Sequence, residues 1–107
     1  MSTKILNNED LLLDIDKLIH EPARLKILAQ LYVVESADFI FIMRQTGMTQ
    51  GNVSGHLTKL EEAGYVAIEK GYVGKRPQTM ITLTKKGREA FKSYAIKMRM
   101  IFKGILD

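Results

Sequence analysis

The chain has no cysteine and no tryptophan among its 107 residues, and only two prolines and two histidines. Without cysteine there is no disulfide framework and no thiolate chemistry, which favours an intracellular, cytoplasmic location. No apolar run approaches the ~20 residues that a membrane-spanning helix needs. The first residues, MSTKILNNEDLLLDID, lack the pattern of a secretory signal. These absences exclude disulfide-rich secreted domains and membrane-spanning proteins.

The titratable residues give little support to catalysis. His20 and His56 lie in different predicted elements, and Asp14 and Asp16 are two apart in a predicted helix, so their side chains point to different faces. There is no Ser–His pair with an orienting acid, no metal-ligand spacing and no phosphate-cradling glycine loop. We therefore predict no catalytic residues, no metal site and no cofactor.

Charge is distributed unevenly along a chain whose length predicts a single domain over residues 1–107. Residues 1–38 carry four Lys/Arg and seven Asp/Glu, a net charge of −3, whereas residues 39–107 carry twelve and five, a net charge of +7. Between Lys70 and Arg88 there are six basic residues and no acid. A one-sided basic surface of this kind favours phosphate binding, because neutralised phosphates release counterions.

The most informative stretch is TGMTQGNVSGHLTKLEEAGYVAIEKGYVGKRPQTMITL, from Thr46 to Leu83. Within it, Val53, Leu57 and Leu60 are spaced i, i+4 and i+7, which predicts one buried face of an amphipathic helix. Thr49 precedes this helix as a good N-cap, and Gly64 suits the left-handed residue that ends many helices. The pattern predicts a short helix with a well-defined start and end.

The opposite face of this helix is small, polar and almost free of acid. It comprises Gly51, Asn52, Ser54, Gly55, Thr58 and Lys59. Two glycines in an exposed helix cost about 1 kcal/mol each, so keeping them favours a close approach of the helix backbone to another surface. The alternative is that Gly51 is a loose first-turn residue and Gly55 has no such role.

The neighbouring segments complete a recognisable arrangement. An apolar helix over about 40–46 ends at Gly47 and turns into the Thr49 cap, so a helix-turn-helix is predicted over about 40–63. Residues 65–70 and 79–83 are β-prone, and residues 71–77 between them are rich in turn formers, which predicts a two-stranded ribbon, the wing, over about 65–83. The second helix of a helix-turn-helix enters the DNA major groove, and a basic loop beside it can reach the flanking backbone. The fold class is therefore predicted as mainly α with a small β-hairpin.

The same residues resemble the small winged helix-turn-helix transcriptional regulators of the multiple-antibiotic-resistance (MarR) and arsenic-repressor (ArsR) types. The resemblance covers about residues 18–94, and its matching segments are HEPARLKIL, TGMTQGNVSGHLTKLEEAGYV and KRPQTMITLTKKGREA. It implies that Lys75 and Arg76 occupy the wing tip, and it implies DNA contacts for six residues of the helix. These six are Thr49, Gln50, Asn52, Ser54, His56 and Lys59. Metal sensors of the arsenic-repressor type use cysteine motifs that this chain lacks, so no metal or other effector carries over.

The terminal segments are predicted to be helices with apolar faces. Asn8 is a candidate cap for the first, which would carry Leu11, Leu12, Ile15, Leu18 and Ile19. Thr84 caps a long last helix over about 84–106, whose apolar seam extends over four turns. The seam comprises Phe91, Tyr94, Ala95, Met98, Ile101, Phe102 and Ile105. Such a seam is normally buried against a partner, so both helices are predicted to form a homodimer interface. The alternative is an intrachain clamp, in which the first and last helices cover each other.

The sequence thus predicts a sequence-specific regulator that binds double-stranded DNA as a homodimer. A different class stays open, namely a winged helix that serves as a protein–protein module within a transcription assembly. The glycine face and the basic wing argue against it, because protein interfaces more often carry exposed aromatic residues and leucines.

Overall fold

The computed structural model describes residues 14–107, which form four helices and a three-stranded antiparallel sheet. The elements in chain order are α1 (Pro22–Val34), β1 (Ser36–Asp38), α2 (Phe39–Thr46), α3 (Gln50–Glu62), β2 (Val66–Val73), β3 (Arg76–Leu83) and α4 (Lys85–Leu106). The predicted class, a mainly helical winged helix-turn-helix, is confirmed. Helices α2 and α3 form the predicted helix-turn-helix, and β2 and β3 form the wing.

Each described helix begins at a side chain that accepts a hydrogen bond from its first turn. Glu21 accepts from Arg24 N, Asp38 from Phe41 N, Thr49 from Asn52 N and Thr84 from Gly87 N. These bonds satisfy backbone N–H groups that have no partner within a helix. The caps at Thr49 and Thr84 are the predicted ones.

The core lies where α1, α2 and α3 meet the sheet. Its fully buried aliphatic side chains come from five elements or turns: Ile19, Ile27, Leu28, Leu31, Ile42, Val53, Leu57, Leu60 and Ile81. The apolar face predicted for α3 is therefore the face that anchors this helix. The opposite face of α3 lies outside the core and is exposed to solvent.

The sheet is larger than the predicted hairpin. Strand β3 pairs with β2 from Val66↔Leu83 to Val73↔Arg76, so the strands continue through most of the segment predicted as a loop. A third strand, β1, pairs with the other edge of β3, with Ser36 opposite Thr82. Strand β1 has only three residues, which are too few to show the alternation of polar and apolar residues typical of a strand. It forms because its backbone pairs with the free edge of β3. The prediction of a two-stranded ribbon was therefore incomplete.

The predicted N-terminal helix does not extend through residues 14–21, which form turns. The Asp16 carboxylate accepts hydrogen bonds from the backbone N–H groups of Leu18 and Ile19, a local pattern that competes with the helix. Leu18 and Ile19 still pack in the core, as their apolar character predicts. Asn8, Leu11 and Leu12, the other named residues of that helix, lie outside the described residues.

Much of the seam predicted on α4 is covered within the chain, which corrects the prediction for those residues. Tyr94 is buried in the main core, Phe91 packs against it, and Ile101 is buried with Ile15 and Met98 in a second cluster. The cover is intrachain, as in the alternative, but it comes from α1 and from the turns at residues 14–21 and not from a first helix. Phe102 and Ile105, by contrast, are 50% and 65% exposed.

The start of α4 is bonded to the base of the wing. Thr84 Oγ1 donates to the carbonyl oxygen of Gly64 at 2.6 Å, and Thr84 N donates to that of Tyr65 at 3.1 Å. Gly64 itself has a φ of +81°, the left-handed conformation predicted for the end of α3. The end of α3, the wing and α4 are therefore held together at one point.

Candidate nucleic-acid interface

The outer face of α3 projects from the domain as predicted. Val53, Leu57 and Leu60 anchor the helix in the core with at most 2% exposure. Of the six residues for which the resemblance implies DNA contacts, all but His56 are exposed. The other residues of the outward face, Gly51, Gly55 and Thr58, are exposed as well. They surround a ridge that another molecule can reach.

Gly51 and Gly55 form the crest of this ridge. A Cβ built on either glycine would meet no atom within 4 Å. Neither glycine is therefore required by packing inside the chain, and neither has the positive φ that favours glycine. Since both weaken an exposed helix, the bare backbone at the crest is best explained by a surface that approaches from outside.

The acidic residues of α3 limit the usable part of this ridge. Glu61 and Glu62 both lie in its last turn, whereas Gln50 to Lys59 contain no acid. Carboxylates repel phosphate and the acceptor-rich groove edges of DNA. The N-terminal half of α3 is therefore the part that suits duplex DNA, as it is in other helix-turn-helix proteins.

A wide cleft of about 1120 Å³ separates α3 from the wing. Its α3 wall includes Gln50, Ser54 and Thr58. Its other walls contribute polar side chains outside the predicted site, namely Arg44 of α2 and Lys70, Gln78 and Thr79 of the wing. The basic residues Arg44, Lys70 and Arg76 come from three elements, so only folding brings them to one cleft. Two acidic residues also line the cleft: Asp38, whose carboxylate caps α2 through Phe41 N, and Glu61 in the last turn of α3.

The sequence contains little indication that Arg44, Lys70, Gln78 and Thr79 would line this cleft. Lys70 belongs to the basic run between Lys70 and Arg88, but nothing in that run says which members face the cleft. In the sheet, Lys70 pairs with Thr79, two positions beyond the Ile68↔Ile81 pair, so it lies on the same side of the hairpin. Strand register therefore identifies it.

The wing ends in a tight turn at Gly74 and Lys75. Gly74 has a φ of +63°, and Lys75 and Arg76 are exposed at the tip. Tyr72 and Val73 are exposed beside them. The structure therefore places the two predicted basic residues at the far end of the hairpin.

Two other basic residues of the same run have local partners instead. The Arg88 guanidinium lies 4.6 Å from the centre of the Tyr32 ring, and its Nη1 donates to the Tyr32 carbonyl oxygen at 3.5 Å. Lys86 Nζ lies 5.9 Å from the centre of the Tyr65 ring. These contacts give both residues a structural role, in keeping with a solvated helix start.

His56 differs from the other predicted contacts, because its ring is turned toward α1. Its Nδ1 lies 3.1 Å from Arg24 Nη1 and 3.9 Å from Glu21 Oε1. The hydrogen bond that Glu21 accepts from the Arg24 backbone lowers the pKa of this carboxyl group, and the charge of the Arg24 side chain lowers it further. Glu21 is thus held as a carboxylate at the foot of α3.

The tyrosine that joins the wing base to the N-terminal turn has a shifted pKa. The Tyr65 hydroxyl donates to the Asp16 carboxylate. Burial, followed by this hydrogen bond and the charge of Asp16, raises the pKa of Tyr65 to about 12. Burial likewise raises the pKa of Tyr94, whose hydroxyl lies 2.7 Å from His20 Nδ1. These two contacts join the N-terminal turn to the base of the wing and to α4.

In the part of the chain that the structure describes, no group of three His, Cys, Asp or Glu residues is arranged to hold a metal ion. None of the helices described there is long and apolar enough to cross a membrane.

A projecting helix beside a basic hairpin defines the class of winged helix DNA-binding proteins. Residues 23–102 match the winged helix DNA-binding domain family, and the chain belongs to that family. It is 39% identical to an uncharacterized protein of Methanocaldococcus jannaschii over 83% of this chain and 97% of that protein.

Solved structures agree with this assignment. The transcriptional regulator homologue protein from Pyrococcus horikoshii OT3 matches with a TM-score of 0.85 and 28% identity, over 90% of this chain and 97% of that chain. A MarR-family transcriptional regulator from Silicibacter pomeroyi matches with a TM-score of 0.64 and 20% identity, over 94% and 66%. The resemblance to MarR-type regulators is thus confirmed at the level of the fold.

Proposed function

We propose that this chain is a sequence-specific transcriptional regulator that binds double-stranded DNA as a homodimer. The observation that carries the proposal is the bare crest of Gly51 and Gly55, flanked by polar side chains and facing open space. In this proposal the N-terminal half of α3 enters the major groove, where Asn52 has the amide geometry that pairs with adenine. As a transcriptional regulator, the chain would act in the cytoplasm and would have no enzymatic role.

The cleft between α3 and the wing supports a phosphate-binding role. One DNA strand would lie along it, with Arg44 and Lys70 in its walls and Lys75 and Arg76 at its outer end. Contacts of this kind set the register of the protein on DNA and carry little sequence information. They would supply most of the non-specific affinity.

The homodimer is proposed on the exposed apolar end of α4. Phe102, Ile105 and Leu106 are exposed there, beyond the part of the helix that the core covers. A second copy packed on this end would bury them and would relate two recognition helices by a two-fold axis. Two such helices would bind a roughly palindromic operator whose half-sites lie about one helical turn apart.

A protein–protein module is the second candidate function. Exposed Tyr72 and Val73 at the wing tip favour it, because aromatic residues are enriched at protein interfaces. The neighbouring Lys75 and Arg76 favour DNA at the same place. Affinity for duplex DNA separates the two candidates.

Selection of binding sites from random duplex DNA tests the proposal. We expect wild-type protein to recover a symmetric motif, and Asn52→Ala to relax preference at one position in each half-site, since a lost bidentate contact costs about 1–3 kcal/mol of discrimination. Gln45→Ala, an exposed polar residue at the end of α2, serves as the matched control. Recovery of no motif, with no affinity for duplex DNA, would favour the protein–protein module.

A further inference from the structure

Arg24, in the first turn of α1, is the one buried charged residue in the described part of the chain. Its side chain is 9% exposed, and its Nε donates to the Leu18 carbonyl oxygen at 2.6 Å. Its Nη1 lies 3.1 Å from Nδ1 of His56 on α3. A guanidinium keeps its charge and has only donors, so burying it requires acceptors. Arg24 thus connects the N-terminal turn, α1 and α3.

This contact determines which nitrogen of the neutral His56 ring carries the hydrogen. Because a guanidinium can only donate, Nδ1 of His56 must be the acceptor, and the neutral ring then carries its hydrogen on Nε2. The other charged group facing the ring is Glu21, 3.9 Å away, while Lys59 lies one turn further along α3. If Nδ1 carried the hydrogen, two donors, His56 Nδ1–H and Arg24 Nη1–H, would face each other and the hydrogen bond between them would be lost.

The opposite edge of the ring faces outward. With Nδ1 directed at Arg24, the Nε2–H points away from α1, and the His56 side chain is 23% exposed. Asn52 and Lys59 share this side of α3 at i−4 and i+3, so three donors line the flank of the helix away from the wing. His56 lies on the side of α3 that borders its buried face. In a complex with α3 in the major groove, this position would lie beside the DNA backbone and not at the floor of the groove.

We infer that Arg24 is a positioning residue for DNA binding, which holds His56 in the Nε2–H tautomer so that this N–H donates to a DNA phosphate oxygen. The inference rests on the proposed function and assigns a defined role to His56, on the flank of α3 away from the wing. A neutral donor releases no counterion. The contact therefore adds affinity for every sequence without adding to the salt dependence.

Nitrogen-15 spectra of the histidine rings test the tautomer directly. The chain has only two histidines, so His20→Gln assigns the His56 signals. We expect an unprotonated Nδ1 and a protonated Nε2 in the wild type, and a mixture of tautomers in Arg24→Met. Arg24→Gln should restore the wild-type pattern, because an uncharged amide can donate to Nδ1. A protonated Nδ1 in the wild type, or an unchanged pattern in Arg24→Met, would overturn the inference.

Binding to a short random-sequence duplex tests the phosphate contact. His56→Asn keeps an acceptor for Arg24 but lacks the outer donor, whereas His56→Gln keeps a donor near the position of Nε2. We expect His56→Asn to weaken binding about tenfold at an unchanged salt slope, which is the effect of one lost hydrogen bond to a charged group. Arg24→Met should weaken binding by less, because part of the ring population still carries the hydrogen on Nε2. His56→Gln and Arg24→Gln should bind within about twofold of the wild type, and the double variant Arg24→Met/His56→Asn should lose no more than His56→Asn alone.

The outcomes separate this inference from the proposed function. Wild-type affinity in His56→Asn, with steep salt dependence retained, would overturn the contact and leave the DNA-binding function intact. A loss confined to one DNA sequence would indicate a base contact and overturn the phosphate assignment. A wild-type protein that bound no duplex would overturn the proposed function, and the phosphate contact with it.

Discussion

The backbone of Gly87 lies directly against the carbonyl group of Tyr65. A Cβ at position 87 would lie 2.8 Å from the Tyr65 carbonyl carbon, closer still to its oxygen, and 2.9 Å from Leu83 Cδ1. This contact brings the first turn of α4 onto the base of the wing, where Thr84 also bonds to Gly64 and Tyr65. Glycine is required at position 87 because another part of the same chain lies against it, whereas nothing within the chain requires glycine at positions 51 and 55.

Gly87→Ala should therefore destabilise the fold. The added methyl group meets backbone, which cannot rotate away, so we expect a loss of about 1–3 kcal/mol in the free energy of unfolding. Gly51→Ala is the matched control, since its methyl group meets open space. Chemical denaturation followed by circular dichroism measures both, and equal stability of the two variants would contradict the contact.

Replacing Lys75 and Arg76 with Ala should weaken binding to all duplex sequences. Each lost phosphate contact should flatten the dependence of log affinity on log salt by about one unit, so the double variant should lose about two. Lys103→Ala, an exposed lysine at the far end of α4, is the control. Fluorescence anisotropy at several salt concentrations gives the slopes. An affinity for duplex DNA that does not change with salt concentration would contradict the proposed regulatory function.

Gly55→Glu should abolish DNA binding while leaving the fold intact. The position is open and helical, so the side chain adds bulk and negative charge only at the crest that enters the groove. Gly55→Ala fills the same position without charge, and as a better helix former it should raise the melting temperature. Normal folding of Gly55→Glu with unchanged DNA affinity would mean that another face of α3 meets the DNA.

Phe102→Glu with Ile105→Glu should convert a dimer into a monomer. Both side chains are exposed at the end of α4, so the substitutions spare Tyr94 and Ile101 in the intrachain clusters. Val33→Glu places the same change on an exposed apolar residue of α1 and is the control. Analytical ultracentrifugation at micromolar concentration measures the state. A wild-type chain that sediments as a monomer would rule out the proposed interface.

Tyr65→Phe should reduce the sensitivity of the fold to alkaline pH. Because the pKa of Tyr65 is raised from 10.0 to about 12 in the folded protein, its hydroxyl stabilises the fold fully below pH 10 and loses that effect as the pH rises through 12. We expect Tyr65→Phe to cost about 1 kcal/mol near neutral pH, for the lost bond to Asp16, and to lose less further stability above pH 10. Tyr72→Phe, exposed at the wing tip, is the control for melting curves across that range.

The local pattern of the sequence was sufficient for the main elements. Val53, Leu57 and Leu60 at helical spacing, the caps at Thr49 and Thr84, and glycine at positions 47 and 64 predicted α2, α3, the wing and α4 with nearly the observed bounds. These signals are local, because helical periodicity, capping and left-handed glycine act within a few residues. The outward face of α3 followed from the same periodicity.

The exceptions depend on contacts that apolar periodicity does not encode. Strand β1 exists because Ser36 to Asp38 meet the free edge of β3. The Asp16 carboxylate accepts hydrogen bonds from Leu18 N and Ile19 N and from the distant Tyr65 hydroxyl, and residues 14–21 form turns where the apolar spacing predicted a helix.

The sequence alone determined which residues of α3 and α4 are apolar, and at which spacing, but only the tertiary structure decided what covers them. Tyr94 and Ile101 carry the same seam signal as Phe102 and Ile105, yet the first pair is buried within the chain and the second is exposed. The same holds for His56, whose ring is turned to Arg24, 32 positions earlier in the chain. Periodicity gives the direction of a side chain from its own helix axis, whereas burial and hydrogen bonding depend on which other element lies in that direction.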